Sequence, residues 1–256
     1  MSRGLIGYTG FVGSNLNEQY EFDTFYNSKN FAKMAGRNFA ELVCAGVAAE
    51  KWKANKNPTE DLERIQRLIK VLKNVKADRF VLISTIDVYP IAHGKDESFD
   101  CHKDENHAYG KNRLLFEDFC VEHFPKCHVI RLPGLFGKGI KKNIIYDLLH
   151  GNMLEKINPS SSFQYYYLKN LWSDIEIAIN ADLPLLNLFT EPIATIEIWN
   201  RFFSDKHIGS LANHMLHYDL HTCYSHIFCG NGSYRHSKEE VLLQMQEFIA
   251  SEVSRI

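Results

Sequence analysis

The chain has 256 residues and a formal net charge of -2 at pH 7, and 45% of its residues are hydrophobic. This length accommodates one large α/β domain, alone or with a small appendage. The balanced charge excludes the basic surface with which proteins bind nucleic acid or anionic membranes. No apolar run approaches the roughly 18 residues that a membrane span needs, and the first residues carry no signal-peptide pattern. We therefore expect a cytoplasmic protein that binds neither nucleic acid nor a membrane.

Cysteine and histidine usage gives no sign of a disulfide or a metal site. The six cysteines, at positions 44, 101, 120, 127, 223 and 229, include no C-x-x-C pair, so we expect reduced thiols. The twelve histidines are scattered without the spacing of metal ligands. The sequence therefore predicts no bound metal.

The N-terminal stretch predicts a strand, a glycine turn and a helix. The apolar run Gly4-Leu5-Ile6 breaks into a turn with glycines at positions 7, 10 and 13, and helical spacing follows through Val12 and Leu16. Such a turn lets backbone N–H groups approach a pyrophosphate and directs a helix N-terminus at its charge. The spacing is G-x-x-G-x-x-G and not the G-x-G-x-x-G of the dinucleotide fingerprint, so an ordinary loop is the alternative interpretation.

A second strand is predicted over 22–26, and it ends in the polar sequence Asn27-Ser28-Lys29-Asn30. An NAD-binding unit carries an acidic residue at about this point to bind the ribose hydroxyls, and none is present here. The side chains instead offer hydrogen-bond donors and one positive charge, which suit the 2′-phosphate of NADP. A polar loop without a ligand is the alternative.

Two more strands and a helix continue an alternating pattern. The apolar run 42–47 follows after a short connection, and its small residues at 44–46 let a flat ligand approach. A helix start is predicted at Asn57-Pro58-Thr59-Glu60, with Asn57 as the capping residue, and apolar residues at helical spacing continue to Leu72. The apolar run 79–84 fits a central strand covered on both faces. This alternation predicts an α/β fold with a Rossmann-type, doubly wound parallel sheet.

Side chains suited to chemistry follow the central strand, which ends in Ser84-Thr85-Ile86-Asp87-Val88-Tyr89. Ligands of open α/β sheets bind at the carboxyl ends of strands. Further on, Tyr109 and Arg113 lie four residues apart in a predicted helix over about 106–123, and therefore share one face. A cation beside a phenol lowers the pKa of the tyrosine, so Tyr109 could exchange a proton with a carbonyl or alcohol, and Thr85 could hold the same oxygen. A half-buried helix tyrosine without a catalytic role is the alternative.

The C-terminal half is less informative. The basic stretch from Lys138 to Asn143 could meet a substrate diphosphate, and a solvated loop is the alternative. Helices are predicted from Ile144, after 191–193 and over 238–253, and a strand over 185–188. Residues 217–234 follow no period that we can classify.

Taken together, these features resemble the extended branch of the short-chain dehydrogenase/reductases, the family of nucleotide-sugar epimerases, dehydratases and reductases. The resemblance covers about residues 3–175, with its motifs in order and correctly spaced. The matching stretches are Thr9-Gly10-Phe11-Val12-Gly13-Ser14, Ser84-Thr85-Ile86-Asp87-Val88-Tyr89, Tyr109-Gly110-x-x-Arg113, Arg131-Leu132-Pro133-Gly134-Leu135-Phe136-Gly137 and, more weakly, Gln164-Tyr165-Tyr166-Tyr167-Leu168-x-Asn170-Leu171.

The resemblance implies roles for individual residues. Tyr109 would be the general acid/base, Thr85 would take the serine/threonine role, and Arg113 stands at the position of the catalytic lysine. The expected cofactor contacts are Gly7, Thr9, Gly10, Phe11, Val12 and Gly13 at the pyrophosphate, Asn27, Ser28 and Lys29 near the 2′-position, Cys44, Ala45 and Gly46 along the adenosine half, Ser84, Tyr109 and Arg113 at the catalytic end, and Pro133, Gly134 and Leu135 at the nicotinamide. The expected substrate contacts are Ile86, Asp87 and Gln164.

The resemblance also implies an activity. We expect NAD(P)-dependent oxidoreduction or epimerisation of a carbohydrate carbonyl or alcohol, with NADP slightly favoured over NAD and a nucleotide-activated sugar as substrate. The Rossmann domain would span 1–256 and carry a small discontinuous substrate lobe roughly within 138–165 and 190–235, and the protein could form a homodimer. The alternative function is a dinucleotide-binding sensor or partner subunit with little or no turnover.

Three departures from the family pattern bear on these expectations. The lysine of the Y-x-x-x-K motif is Arg113 here, which supplies a positive charge and donors to a ribose but does not relay a proton. The region between the second and third strands is short, so one strand of the sheet could be missing. The chain is also shorter than typical members, so we expect a small substrate lobe.

Overall fold

The computed structural model describes residues 1–228 and 232–253. Within them the strands are β1 (Ser2–Ile6), β2 (Thr24–Tyr26), β3 (Asn38–Cys44), β4 (Lys76–Thr85), β5 (Cys127–Leu132), β6 (Gly134–Phe136), β7 (Ser162–Phe163), β8 (Tyr165–Tyr167), β9 (Leu185–Asn187) and β10 (Ile193–Ala194). The α-helices are α1 (Phe11–Gln19), α2 (Lys51–Lys56), α3 (Pro58–Leu72), α4 (Ala108–His123), α5 (Ile144–His150), α6 (Leu171–Asn180), α7 (Thr195–Phe202) and α8 (Lys238–Val253).

The chain divides into two compact units whose segments alternate along the sequence. The first unit comprises Met1–Ile91, Phe99–Leu132 and Lys169–Asn187, and the second unit comprises Ala92–Ser98, Pro133–Leu168 and Leu188–Ile256. The second unit contains both segments in which the sequence places the substrate lobe, and it adds 92–98 and α8. Of the predicted site residues, positions 133–135 and 164 belong to the second unit and all others to the first.

The first unit is built on a parallel sheet whose strand order, in the described part of the chain, is β2-β1-β3-β4-β5-β9. Helices alternate with these strands along the sequence, so the predicted Rossmann-type α/β fold is confirmed. The strand order reverses at β1, which pairs with β2 on one side and with β3 on the other. In open α/β sheets the carboxyl ends of strands at such a reversal form the ligand crevice.

Strand β2 lies at the edge of this sheet. The connection from β2 to β3 contains one 3₁₀ turn, Phe31–Met34, in place of a further strand. The side chain of Asn30 donates to the carbonyl of Phe25 (3.1 Å) and accepts from the N–H of Asn27 (2.7 Å). These bonds occupy backbone groups at an edge that would otherwise be open to pairing with another chain.

Apolar side chains hold the first unit together, and their burial is its main source of stability. Leu5, Val43 and Val81, on three neighbouring strands, are fully buried. The ring of Phe80 in β4 stacks on that of Phe124, directly after α4, with centroids 4.0 Å apart. Elsewhere, Trp172 at the start of α6 stacks on Tyr20 at 3.7 Å, which ties α6 to the end of α1.

The two helices that lead into the site begin in different ways. Helix α3 begins at Pro58, as predicted, but the prediction that the Asn57 side chain caps it is wrong. Pro58 has no N–H to satisfy at the first helical position, and it is the Asn57 carbonyl that accepts from Asp61 (3.2 Å). Helix α4 is capped by His107, whose Nδ1 accepts from the N–H of Gly110 (3.0 Å). This cap fixes the first turn of α4, which carries Tyr109.

The second unit contains two short two-stranded sheets among its described residues, β6 with β8 in parallel and β7 with β10 antiparallel. The ring of Phe136 stacks on that of Tyr167, with centroids 4.8 Å apart, and both contact Phe248 of α8. Helix α8 therefore packs against both strands of the parallel pair.

No helix in the described residues is both long and apolar enough to cross a membrane. Four of the described cysteines are buried free thiols, at positions 44, 101, 120 and 127, and Cys223 is an exposed free thiol. Cys229 lies outside the described residues.

Candidate active site

The glycine turn joins β1 to α1 where the strand order reverses. Gly7 has a φ of +88°, and a Cβ there would lie 2.4 Å from the carbonyl oxygen of Ala45. A Cβ at Gly13 would lie 2.1 Å from the carbonyl oxygen of Gly7. The packing of the protein's own backbone therefore requires both glycines. At Gly10 a Cβ would meet only the Gly7 carbonyl oxygen, at 3.2 Å, and Gly10 is exposed, so folding does not explain this glycine.

Gly10 is also the N-cap residue of α1. No side chain caps this helix end, and its first turn contains no acidic residue. Backbone N–H groups at a helix N-terminus need acceptors, and the helix dipole favours an anion there. Thr9 is exposed beside Gly10, and Phe11 and Val12 are partly buried. The turn therefore fits the pyrophosphate that the sequence predicts at this point.

The polar segment after β2 lies beside the glycine turn. The side chain of Asn27 accepts from the N–H of Lys29 (2.9 Å) and donates to the hydroxyl of Tyr8 (3.4 Å). Ser28 and Lys29 are exposed. Tyr8 is not among the predicted site residues, although an aromatic residue directly after Gly7 is visible in the sequence. Its ring lies 5.5 Å from that of Phe25, which places Tyr8 between the glycine turn and the proposed 2′-phosphate residues.

The end of β3 packs against the same turn. Cys44 is fully buried, and burial raises the pKa of its thiol to about 12, so this side chain belongs to the core. Ala45 is partly buried and Gly46 is exposed. A Cβ at Gly46 would lie 2.6 Å from a methyl group of Ile6. Ala45 and Gly46 thus line the crevice between β1 and β3, where the sequence places the adenosine half.

Ser84, near the end of β4, is partly buried, and its hydroxyl is engaged by another residue of the protein. Ser84 donates a hydrogen bond to Glu117, and Glu117 pairs with Arg131 (Nη2–Oε2 2.6 Å), with both ions 5% exposed. This network gives Arg131, the first residue of the Arg131-Leu132-Pro133-Gly134 stretch, a structural partner. Ile86 is buried as well. The cofactor contact of Ser84 and the substrate contact of Ile86 stay predictions.

Thr85 and Asp87 lie at the carboxyl end of β4. The Thr85 hydroxyl accepts from the N–H of Asp87 (3.2 Å), and it lowers the pKa of the Tyr109 phenol. Asp87 pairs with Lys51 of α2 at 2.6 Å, and Nε2 of His107 lies 3.9 Å from the same carboxylate oxygen. Burial and then the charge of Lys51 lower the pKa of His107, so this ring is neutral near pH 7. Lys51 and His107 are not among the site residues predicted from the sequence.

Tyr109 and Arg113 lie on one face of α4, as their spacing predicts. The Tyr109 N–H donates to the side chain of Asn55 (2.9 Å), which fixes the start of the helix. The guanidinium carbon of Arg113 lies 4.2 Å from the centroid of the Tyr109 ring. Cation and phenol are therefore in contact, as the proposed acid/base pair requires.

Arg113 has a second partner that the sequence does not reveal. Its two Nη atoms bond to the two carboxylate oxygens of Asp61 in α3, at 2.7 and 2.9 Å, and Nη2 also donates to the carbonyl of Ala48 (2.5 Å). The side chains of Arg113 and Asp61 are 5% and 9% exposed. Asn112 donates to the same carboxylate (2.9 Å). The cation beside Tyr109 is therefore one half of a buried ion pair.

The pKa of the Tyr109 phenol decides whether this residue can act as the predicted acid or base. Burial raises the pKa of the Tyr109 phenol, and the charge of Arg113 and the hydrogen bond with Thr85 lower it by less. The prediction that the cation lowers the pKa of Tyr109 overall is therefore wrong, although Arg113 acts in the predicted direction. Asp87 raises this pKa further. The phenol of Tyr109 is protonated at neutral pH.

In the second unit, the predicted nicotinamide stretch pairs with the predicted substrate residue. The N–H of Gly134 donates to the backbone carbonyl of Gln164 (3.0 Å). The Gln164 side chain is 1% exposed; its amide donates to the carbonyls of Thr190 (2.6 Å) and Leu220 (2.7 Å) and accepts from the N–H of Leu220 (2.9 Å). Gln164 thus joins three segments of the second unit. Its substrate contact, and the nicotinamide contacts of Pro133, Gly134 and Leu135, stay predictions.

Three of the solved structures that match this chain cover most of its length. One is a dTDP-4-dehydrorhamnose reductase from Bacillus anthracis in complex with NADP, at TM-score 0.72 and 15% identity over 98% of this chain and 99% of that chain. A second is MoeE5 in complex with UDP-glucose and NAD, at TM-score 0.70 and 13% identity over 99% and 100%. A third is a UDP-glucose 4-epimerase from Thermotoga maritima with UDP-glucose, at TM-score 0.69 and 13% identity over 88% and 91%.

The chain has the fold of the extended short-chain dehydrogenase/reductases. The resemblance drawn from the motifs is thereby confirmed at the level of the fold. No protein-family model matches the sequence, and no curated protein matches it. In this extended short-chain dehydrogenase fold, Arg113 stands where the resemblance implies a lysine, and Asp61 is its buried partner.

Proposed function

We propose that the protein is an NAD(P)-dependent enzyme that oxidises, reduces or epimerises a nucleotide-activated sugar at a carbonyl or alcohol carbon. The observation that carries this proposal is the contact of the Arg113 guanidinium carbon with the Tyr109 ring, at 4.2 Å from the ring centroid, in the same unit as the glycine turn. The solved structures with this fold support it, because they include a reductase with NADP and two proteins with UDP-glucose.

The residues at the strand reversal fit a dinucleotide. The turn from Gly7 to Gly13 would hold the pyrophosphate, and Ala45 and Gly46 would flank the adenosine half, with Cys44 contributing backbone only. The stretch Pro133-Gly134-Leu135 would face the nicotinamide, as the resemblance implies. When bound, the nicotinamide supplies or accepts a hydride. We favour NADP over NAD because no acidic residue follows β2 and Lys29 is exposed there.

Tyr109 would move the proton that accompanies the hydride. Because burial keeps the phenol protonated at neutral pH, Tyr109 is ready to donate its proton to a substrate oxygen, and the Thr85 hydroxyl would hold the same oxygen. Arg113 would stabilise the negative charge that develops on the phenol as the proton leaves. Reduction of a carbonyl needs a protonated donor, whereas oxidation of an alcohol needs a phenolate. The site therefore favours the reductive direction near pH 7.

The substrate contact is best assigned to Asp87. Its carboxylate is 16% exposed, and its partner Lys51 is 39% exposed, so this ion pair can reach a ligand. A carboxylate beside an ammonium group offers both an acceptor and a donor to sugar hydroxyls.

One observation favours the alternative of a dinucleotide-binding protein with little turnover. Asp61 offsets the charge of Arg113, so the phenol of Tyr109 receives less electrostatic help than a free cation would give. Two measurements separate these functions. Dinucleotide affinity is measured by titration. For turnover, keto sugars are mixed with NADPH or NADH and nucleotide sugars with NADP⁺ or NAD⁺, absorbance of the reduced nicotinamide is followed, and the sugar products are separated by chromatography, because epimerisation leaves the absorbance unchanged.

The matched control is Tyr109→Phe, which removes only the hydroxyl. If the parent turns over a sugar and the Tyr109→Phe variant does not, the result supports the enzyme. Dinucleotide binding without turnover on any member of the panel supports the sensor or partner subunit. Absence of both binding and turnover contradicts both functions.

A further inference from the structure

We propose that Asp61 is a positioning residue of the active site, which holds the Arg113 guanidinium against the ring of Tyr109 and offsets its charge there. This proposal rests on the function proposed above, since it assigns Asp61 a task in the acid/base chemistry of Tyr109. It adds a residue from α3 to the predicted catalytic residues, which come from β4 and α4.

The geometry of the contact fixes the guanidinium in orientation as well as position. Each carboxylate oxygen of Asp61 accepts from a different Nη atom of Arg113, at 2.7 and 2.9 Å. Such a two-point bond defines the plane of the guanidinium, which a single contact does not. The carbonyl of Ala48 takes a further N–H of Nη2 at 2.5 Å. With these partners on one side, the guanidinium carbon lies 4.2 Å from the Tyr109 ring centroid.

Asp61 is itself held in place, so it can serve as an anchor. Its carboxylate accepts from Asn112 of α4 at 2.9 Å, and its backbone N–H bonds to the carbonyl of Asn57 at 3.2 Å. The Asn112 side chain also donates to the carbonyl of Pro58 (3.3 Å). Asn112 and Arg113 of α4 therefore both bond to the first turn of α3, and Arg113 also contacts Tyr109.

Arg113 of α4 and Asp87, in the turn after β4, are the charges that act directly on the pKa of Tyr109. Each has a partner on another element, Asp61 on α3 and Lys51 on α2, and the N-cap residue His107 also lies near Asp87. They form two opposite-charge pairs, Arg113 with Asp61 and Lys51 with Asp87, beside a neutral His107. Removing one member of a pair leaves the charge of the other unbalanced, so the two members should act on Tyr109 with opposite sign.

The opposite effects of Asp61 and Arg113 on the pKa of Tyr109 can be measured. Tyrosines are labelled with ¹³C at Cζ, the signal of Tyr109 is assigned by its loss in Tyr109→Phe, and its titration is followed by NMR in the intact chain. Asp61→Asn leaves the positive charge of Arg113 unbalanced and should move the titration midpoint of Tyr109 down by about one pH unit or more. Arg113→Met should move it up. The double variant should fall between the two single variants.

The matched control is Glu41→Gln. Glu41 is a buried carboxylate that pairs with Arg79 at 3.0 Å on strands β3 and β4, so its partner is not the cation that contacts Tyr109. Its replacement should leave the midpoint of Tyr109 unchanged. Shifts of Asp61→Asn and Arg113→Met in the same direction, or no shift in Asp61→Asn, would overturn the proposal.

Asp61→Asn could fail to fold, because removing one partner of a buried ion pair is strongly destabilising. A measurement on the unaltered protein covers this case. Arginine side chains are labelled with ¹⁵N, and the signals of Arg113 are assigned by their loss in Arg113→Lys. If Asp61 holds the guanidinium, its Nη signals remain separate because rotation about the Cζ–Nε bond is hindered. Averaged Nη signals would contradict the proposal. Neither experiment uses a cofactor or a substrate, so failure here is distinct from failure of the proposed function.

Discussion

Gly10 is the position at which dinucleotide binding can be tested without disturbing the fold. In Gly10→Val the new Cβ would lie 3.2 Å from the Gly7 carbonyl oxygen, a tight contact at an exposed position with an ordinary φ of -82°. We therefore expect a loss of stability of only about 1 kcal/mol, the usual scale for an unfavourable N-cap residue. The added methyl groups would occupy the space above the helix N-terminus that the pyrophosphate needs.

The expected loss of affinity is much larger than this loss of stability. If the valine keeps the pyrophosphate from two backbone N–H groups, two charge-assisted hydrogen bonds of about 1.5–3 kcal/mol each are lost. The sum, about 3–6 kcal/mol, corresponds to a Kd weakened by roughly 10² to 10⁴. Calorimetric titration with NADPH and NADH measures this, and thermal unfolding of the same samples measures the stability.

Two controls separate ligand contact from folding. Asn17→Val places the same side chain at an exposed position of α1 and should leave the affinity unchanged. Gly13→Val forces a Cβ to 2.1 Å from the Gly7 carbonyl oxygen and should destabilise the fold itself. A Gly10→Val variant that binds both dinucleotides with parental affinity would refute the assignment of the turn.

The remaining predictions concern the proton donor, the cofactor and acid stability. Tyr109→Phe should lower kcat by roughly 10² to 10⁴ at unchanged dinucleotide affinity; near-parental activity would place the chemistry elsewhere, with Asp87 as the next candidate. Lys29→Glu should weaken NADPH binding at least about tenfold through loss of a charge-assisted contact and spare NADH; equal losses would contradict the 2′-phosphate role. Although burial opposes it, hydrogen bonds from Arg113 and Asn112 hold the pKa of Asp61 below its ordinary value. The ionised carboxylate therefore stabilises the fold above about pH 4, and this contribution disappears as the pH falls through its folded-state pKa. Urea unfolding at neutral and acidic pH should show a smaller acid-induced loss for Asp61→Asn than for the parent, and equal losses would contradict this account.

The sequence determined the parts of the protein that depend on neighbours along the chain. The strand, glycine turn and helix at the N-terminus follow from local spacing, as do the alternation of strands and helices and the shared face of Tyr109 and Arg113. Hydrophobic periodicity and turn chemistry are set within a few residues, so they can be recognised without knowing the fold. The absence of a strand between β2 and β3 could also be predicted, because so short a connection has little room for another strand and its crossover.

Only the tertiary structure decided which side chains meet across the sequence. Arg113 and Asp61 are 52 positions apart and Lys51 and Asp87 are 36 apart, and no local pattern connects either pair. The sequence placed a cation beside Tyr109 but not the carboxylate that offsets it, nor the burial that raises the pKa of the phenol. It also did not show that the Gln164 side chain is engaged by Thr190 and Leu220. A pKa depends on the solvent and on every charge within several ångströms, and these surroundings exist only once distant segments have packed together.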